Sequence, residues 1–292
     1  MNRYIIISPV RNEEKNIEEN VQSVINQTIK PLKWIIVNDG STDKTEEIIG
    51  RHLLKCEWIS LVNKKDRGYY QLGVGPGKAF YDGFNTVDSK DWDYLVRMDA
   101  DLSFVSNYFE ILLKRFGENP KLGIASGKTF IKRGGKLICE LCPDDHVRGP
   151  IKMYRKACWE SIGGIETRRL WDTIDEMKAQ KLGWETRSFY DLKILHKRPI
   201  DARQKNPLKS KYVLGQNFYN IGYHPLFMCV KALKVMVFDK SKVLGGMALL
   251  LGYVMSFVNR EEIYDDDLAH FIRSKQIKRF NIGHLITYFT KR

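Results

Sequence analysis

Cysteine is scarce in this chain of 292 residues: there are five, an odd number, which argues against a disulfide framework and fits a reducing compartment. No leader precedes the first apolar run. Met1-Asn2-Arg3 leads straight into Tyr4-Ile5-Ile6-Ile7, so no signal peptide is expected. Long hydrophobic runs are missing as well. The longest uncharged stretch in the C-terminal part, Val243 to Val258, has about sixteen residues, short of the roughly twenty that cross a bilayer. No internal repeat or low-complexity tract stands out. Acidic residues are in deficit, 35 against 48 basic ones, giving a net charge of +13 and a preference for anionic partners. The remaining composition, 43% hydrophobic and 28% charged, describes a folded protein with room for one large domain, or a domain and an appendage.

What is present is an alternation of short apolar runs and helical periodicity. Tyr4 to Ile7, Trp34 to Val37 and Trp58 to Val62 read as buried strands. A helical pattern opens at Arg11 and repeats through Ile17, Val21, Val24 and Ile25. A second helix follows Asp43, with Glu46 placed for a capping box. The order β-α-β-α-β predicts an α/β fold with a mostly parallel, doubly wound sheet. Tyr94 to Met98 is the next strand, Phe104 to Phe116 a helix, Leu122 to Gly127 a strand and Thr186 to Leu195 another.

Carboxylates gather where these strands end. Asp39 follows the second strand, and Asp99-Ala100-Asp101 follows the fourth. In open α/β sheets that edge binds ligands, and two acids one residue apart can hold a divalent cation against phosphate oxygens. Between the third and fourth strands, the glycine-rich stretch Asp66 to Lys78 could approach a phosphate with backbone amides and with Arg67 or Lys78. It lacks the spacing of a Walker A loop.

Three motifs together, Ser8-Pro9-Val10-Arg11-Asn12-Glu13, Val37-Asn38-Asp39-Gly40-Ser41-Thr42-Asp43 and Asp99-Ala100-Asp101, resemble the family 2 glycosyltransferases over roughly residues 1–200. The resemblance implies a Rossmann-like GT-A fold, an inverting hexosyltransferase-like reaction, a nucleotide-diphosphate sugar donor (a UDP-sugar by preference) and a divalent metal, Mn²⁺ or Mg²⁺. It places Pro9, Arg11 and Glu13 around the nucleotide, Asp39 on the nucleobase, Asp99 on the ribose side and Asp101 on the metal. Asn38 departs from the family, which commonly has an Asp there. A leaving diphosphate needs a cation, and an attacking hydroxyl needs a carboxylate base. By the family's pattern the base comes from the helix beginning Trp171-Asp172-Thr173-Ile174-Asp175, with Trp171 where a Glu is usual. Asp172 is the candidate and Asp175 the alternative, while from the residues alone Asp172 could equally cap the helix. Some relatives carry a His near the metal after the following strand, which makes His196 a candidate ligand.

Arg148, in the stretch Cys139 to Pro150, is a candidate for phosphate or acceptor contact. Cys139, Cys142 and His146, with Cys158 nearby, are also spaced loosely like zinc ligands, although not as a standard finger. The domain plan expected is 1–200 for the transferase, divided at 102/103 into a nucleotide-sugar half and an acceptor half, followed by a helical extension, 201–292. From Asp201 onward there are about fifteen Lys/Arg against about seven Asp/Glu. With its apolar run, that extension is expected to meet a membrane surface, placing the enzyme on the cytoplasmic face with a lipid-linked or surface-glycan acceptor. A helical hairpin packed on the enzyme is the soluble alternative for that run. A nucleotidyltransferase would show a glycine- and Arg/Lys-rich motif after the first strand, where Ser8 to Glu13 stands. No nucleic-acid-binding motif is present, so no nucleic-acid partner is expected.

Overall fold

Runs with apolar residues on both faces belong inside a sheet that helices cover, and three such runs with one part-buried edge strand form the parallel part of this one. They are β1 (Tyr4–Val10), β2 (Lys33–Asp39), β3 (Ile59–Lys64) and β4 (Tyr94–Met98). The computed structural model describes residues 3–66, 68, 74–88, 91–140, 142–198, 206–239 and 241–279. Two compact units divide the chain, Met1–Pro199 and Ile200–Arg292.

In the first unit the strands run β3-β2-β1-β4-β8-β6-β9-β5, with β7 on β6. The later members are β5 (Leu102–Phe104), β6 (Leu122–Arg133), β7 (Lys136–Cys139), β8 (Ile151–Arg155) and β9 (Glu185–His196). β3, β2, β1 and β4 are mutually parallel, which is the mostly parallel α/β centre expected. β8 then runs antiparallel to both β4 and β6, and β9 parallel to β6. Two reversals restore the direction, so β1, β2, β4 and β9 all end at one edge. Pro9 is tolerated because β1 pairs with β4 only from Tyr4 to Ile7, so its missing N–H falls beyond that ladder.

The helices are α1 (Ile17–Ile25), α2 (Thr45–Leu53), α3 (Val74–Phe84), α4 (Tyr108–Glu118), α5 (Lys156–Ile162) and α6 (Trp171–Lys181). One apolar cluster joins Ile6, Val21, Trp34, Val96 and Leu112, and a second joins Ile7, Val37, Phe80, Trp159 and Ile124. Fully burying each such side chain contributes about 1.5–3 kcal/mol. α3 lies directly on β1 and β2 because Gly83 has no side chain; a Cβ there would stand 2.5 Å from the Val37 methyl.

Several expected boundaries move. The first helix starts at Ile17 rather than Arg11, because Asn12 adopts a left-handed φ of 52° and ties itself to the next strand's loop. The fourth helix starts at Tyr108, since Leu102 to Phe104 are held as β5 against Ile194 to His196. The capping box does not form. Asp43 accepts from the Thr45 amide, while Glu46 turns to Asn38 and Asn63. Gly75, Pro76, Gly77 and Lys78 belong to α3 and not to a phosphate-cradling loop, since Pro suits the unbonded first turn. Arg67 lies outside the described residues.

The second unit is helical: α7 (Pro207–Asn220), α8 (Pro225–Phe238), α9 (Lys242–Val258) and α10 (Asp266–Lys278). Asn206, His224 and Asp265 cap α7, α8 and α10 by accepting from backbone amides. Among the described residues, no helix is long and apolar enough to cross a membrane. The residues beyond Arg279, including Phe280, Tyr288 and Phe289, lie outside the described part.

Candidate active site

The loops after β1 and β2 are laced together by their own side chains. Thr42 donates its amide to Asn12 Oδ1, Asn12 donates its amide to Ser41 Oγ, and Glu13 donates its amide to Thr45 Oγ1. Arg11 donates to the Asp39 carbonyl and pairs with Asp66. Gly40, at φ 69°, is required twice: by the turn, and by Asp66, whose Cα would lie 2.4 Å from an added Cβ. The Asp39 carboxylate is buried beside Lys64, 3.8 Å away. Asn38, the departure from the family, has a role of its own. It accepts from the Ser41 amide and donates to Asn63 and Glu46, which a carboxylate could not do.

The end of β4 meets the end of β9. Arg198 donates to Glu13 and to Asp101 Oδ2, the latter at 3.1 Å, so one guanidinium joins two buried carboxylates. The other oxygen, Asp101 Oδ1, faces His196 Nε2 at 3.8 Å. Behind the imidazole, Glu140 holds Nδ1 at 2.8 Å, and Arg148 donates to the Glu140 carbonyl at 3.0 Å. Burial, the Asp99 charge and Glu13 raise the Asp101 pKa against the pull of His196 and Arg198. Burial lowers that of His196, but its hydrogen bond to Glu140 and the Asp101 charge outweigh it, and the net shift is upward.

Asp101 and His196 are thus an oxygen and a nitrogen donor facing one gap, with a carboxylate behind the imidazole, as in carboxylate–histidine–metal arrangements. This donor set fits a divalent ion bound by two protein ligands, Asp101 and His196. Among the described residues, no group of three or more His, Cys, Asp or Glu is placed to hold a metal ion. The loose zinc spacing accordingly gathers no cluster: His146 pairs with Glu176, and Cys139, Cys142 and Cys158 are free thiols.

Asp99 is connected to α6 through buried Arg97. That guanidinium pairs with Asp99 at 2.8 Å, donates to the Gly149 carbonyl and stacks over the Trp171 ring at 4.8 Å. Trp171 thus offers Arg97 a ring face where a Glu would offer a carboxylate. Gly149 also borders Asp172, since a Cβ there would lie 3.3 Å from Asp172 Oδ2. Asp172 is half-buried in the first turn of α6 and is not its cap, a position taken by Leu170 at φ 59°. Asp175 is different. It is 1% exposed, holds buried Lys152 at 2.8 Å and accepts from Tyr154. Burial pushes its pKa up to about 7 despite Lys152. Lys78 lies exposed on α3.

Residues 5–138 match the profile described as Glycosyl transferase family 2. This stretch belongs to that family. Curated relatives include the poly-beta-1,6-N-acetyl-D-glucosamine synthase of Staphylococcus epidermidis, 22% identical over 203 residues, 62% of this chain and 45% of that protein. Glycosyltransferase GlyA of Streptococcus pneumoniae is 29% identical over 142 residues, covering 48% of this chain and 19% of that protein. The chain therefore spans less than half of the curated relatives it matches. Among solved structures, S. aureus TarS 1-349 in complex with UDP superposes with a TM-score of 0.54 at 16% identity, over 88% of this chain and 72% of that one. The mannosyltransferase PcManGT from Pyrobaculum calidifontis, in complex with GDP-Man and Mn²⁺, gives 0.54 at 15% identity, over 97% and 82%. The chain thus carries a glycosyltransferase fold of the GT-A kind.

Four residues of the site carried no role in the sequence: Arg97, Glu140, Lys152 and Arg198. Each is a charged residue without a recognised motif role. The signal that could have found Arg97 and Lys152 is their position inside apolar strands, where a cation needs a buried partner.

Proposed function

We propose that this chain moves a sugar, with inversion, from a nucleotide-diphosphate donor, a UDP-sugar by preference, to a glycan or lipid-linked acceptor. The observation that carries the reading is the meeting of Asp39, Asp99, Asp101 and His196 at one sheet edge, with half-buried Asp172 reached from Asp99 through Arg97 and Gly149. Pro9, Arg11, Glu13 and Asp39 line the nucleotide side, Asp99 the ribose side, and Lys78 an outer phosphate contact. A divalent cation, Mn²⁺ or Mg²⁺, held by Asp101 and His196, would supply Lewis-acid stabilisation of the departing diphosphate. Arg198 keeps Asp101 Oδ2 occupied, so Oδ1 stays turned towards His196. Arg148 braces Glu140 and, with it, the imidazole.

Asp172 takes the acceptor's proton. Asp175 is withheld from that role because its oxygens are engaged by Lys152 and Tyr154 and no solvent reaches them. The UDP and GDP-Man complexes of the structural neighbours, and the poly-beta-1,6-N-acetyl-D-glucosamine synthase among the relatives, support a nucleotide-sugar donor and a polysaccharide product. The basic helical unit would hold the enzyme at the cytoplasmic face of the membrane. Calorimetry with UDP, and with GDP as control, tests the donor pocket. Mn²⁺-dependent UDP binding that is lost in Asp39→Ala is expected; no binding of either nucleotide would refute the reading.

A further inference from the structure

The helical unit is packed inside out. The residues α9 buries are Gly245, Gly246, Leu249, Gly252, Tyr253 and Ser256, half of them glycine. These glycines bring backbones together. A Cβ on Gly252 would lie 1.9 Å from the Tyr212 carbonyl oxygen, and one on Gly246 would lie 2.7 Å from that of Ala232. Gly215 on α7 answers from the other side, 2.0 Å from the Leu249 carbonyl oxygen by the same measure. Small residues at helix contacts are the habit of helices whose outer faces rest in lipid, where burying large apolar groups between helices brings no gain.

The large apolar side chains point outward instead. Val243, Leu244, Met247, Leu251, Val254, Phe257 and Val258 are all exposed, Phe257 by 66%. Leu244, Met247, Leu251, Val254 and Val258 recur at three- and four-residue spacing, so they form one stripe along a helix about 25 Å long. α8 adds exposed Leu226, Leu233, Val237 and Phe238. Charge stands at the ends of α9, where Lys242 begins it and Arg260 follows it, both exposed. A protein-facing patch carries a polar rim along its flanks. Cations at the two ends of an apolar stripe match phosphates above acyl chains.

We propose that α8 and α9 lie in the plane of an anionic bilayer surface, with the Leu244–Val258 stripe in the acyl boundary and Lys242 and Arg260 at phosphate level. This rests on the reading that the second unit meets the membrane, and adds the face and its orientation. The test is flotation of the full chain with phosphatidylcholine vesicles, with and without about a third phosphatidylserine. Wild type is expected to float with the anionic vesicles. Leu251→Glu with Phe257→Glu should lower that partition roughly tenfold or more, because two acids now face the acyl chains. Both side chains are exposed, so the melting temperature and UDP binding should hold.

Val243→Trp and Phe257→Trp, at opposite ends of the helix, should be quenched alike by lipids brominated at one shallow depth. Quenching at one end alone would overturn the in-plane orientation. Flotation that survives in the double variant but vanishes in high salt would overturn the face while leaving charge-driven membrane contact standing. Wild type that floats with neither vesicle would overturn both. A vesicle-independent dimer that the double variant dissociates would assign the stripe to a second copy of the chain and overturn the proposal.

Discussion

Replacing Lys152 by Met removes the only cation that three buried acceptors of α6 share among the described residues. Its ammonium is fully buried and sits 2.8 Å from Asp175, 3.0 Å from Glu176 and 2.6 Å from the Asp172 carbonyl oxygen. Breaking one side of a buried ion pair costs about 3–5 kcal/mol, because the opposite charge stays behind in a medium that cannot solvate it. Here the remaining donors soften the loss. Tyr154 still donates to Asp175, and the Val147 amide and His146 still serve Glu176, so about 3 kcal/mol is expected. Against a typical total of about 5–15 kcal/mol this is a large fraction. The loss should also depend on pH. Asp175 already has a pKa pushed up to about 7 by burial, and without Lys152 it rises further. A carboxyl whose folded-state pKa exceeds its unfolded value loses stability as pH rises between the two, so the variant should be weaker at pH 8 than at pH 6. All six tryptophans fall in the first unit, so urea unfolding followed by their fluorescence reports on this unit alone. Adding Asp175→Leu should recover part of the loss, since an apolar replacement of the whole pair is tolerated better than half of it. A loss below about 1 kcal/mol at pH 8, or a double variant no better than the single, would refute the argument.

Asp172→Asn should leave UDP affinity and melting unchanged while turnover falls roughly a hundredfold or more. Asp175→Asn should instead lower the melting temperature, and normal melting with lost turnover in that variant would reverse the base assignment. His146 supplies a second pH test. Burial lowers its pKa, but the charge and hydrogen bond of Glu176 raise it further, and the net shift is upward. A raised folded-state pKa means the pair's stabilisation is complete below about pH 6.5 and fades as pH climbs through the folded value. Melting temperatures from pH 6 to 9 should therefore decline more steeply in wild type than in His146→Gln; parallel slopes would count against the pair.

The order of the first parallel strands and helices, and the sheet edge where the carboxylates gather, were legible in the chain itself. Tyr4 to Ile7, Trp34 to Val37 and Tyr94 to Met98 are apolar on both faces, and such runs have few places to go except the middle of a covered sheet. Asp39, Asp99 and Asp101 follow them directly, so their shared edge comes from local pattern plus the parallel connection rule. The boundaries near Asn12, Asp43 and Leu102 were not legible, because partners distant in sequence set them: Ser41 and Thr42, Asn38 and Asn63, and the β9 segment Ile194 to His196. The same holds for the choice between Asp172 and Asp175. Three residues apart on one helix, they look alike as letters, and only the arrival of Lys152 and Tyr154 from β8 buries one and leaves the other half-open. A sequence records which side chains can ionise. The packing of segments far apart in the chain decides which of them meets water.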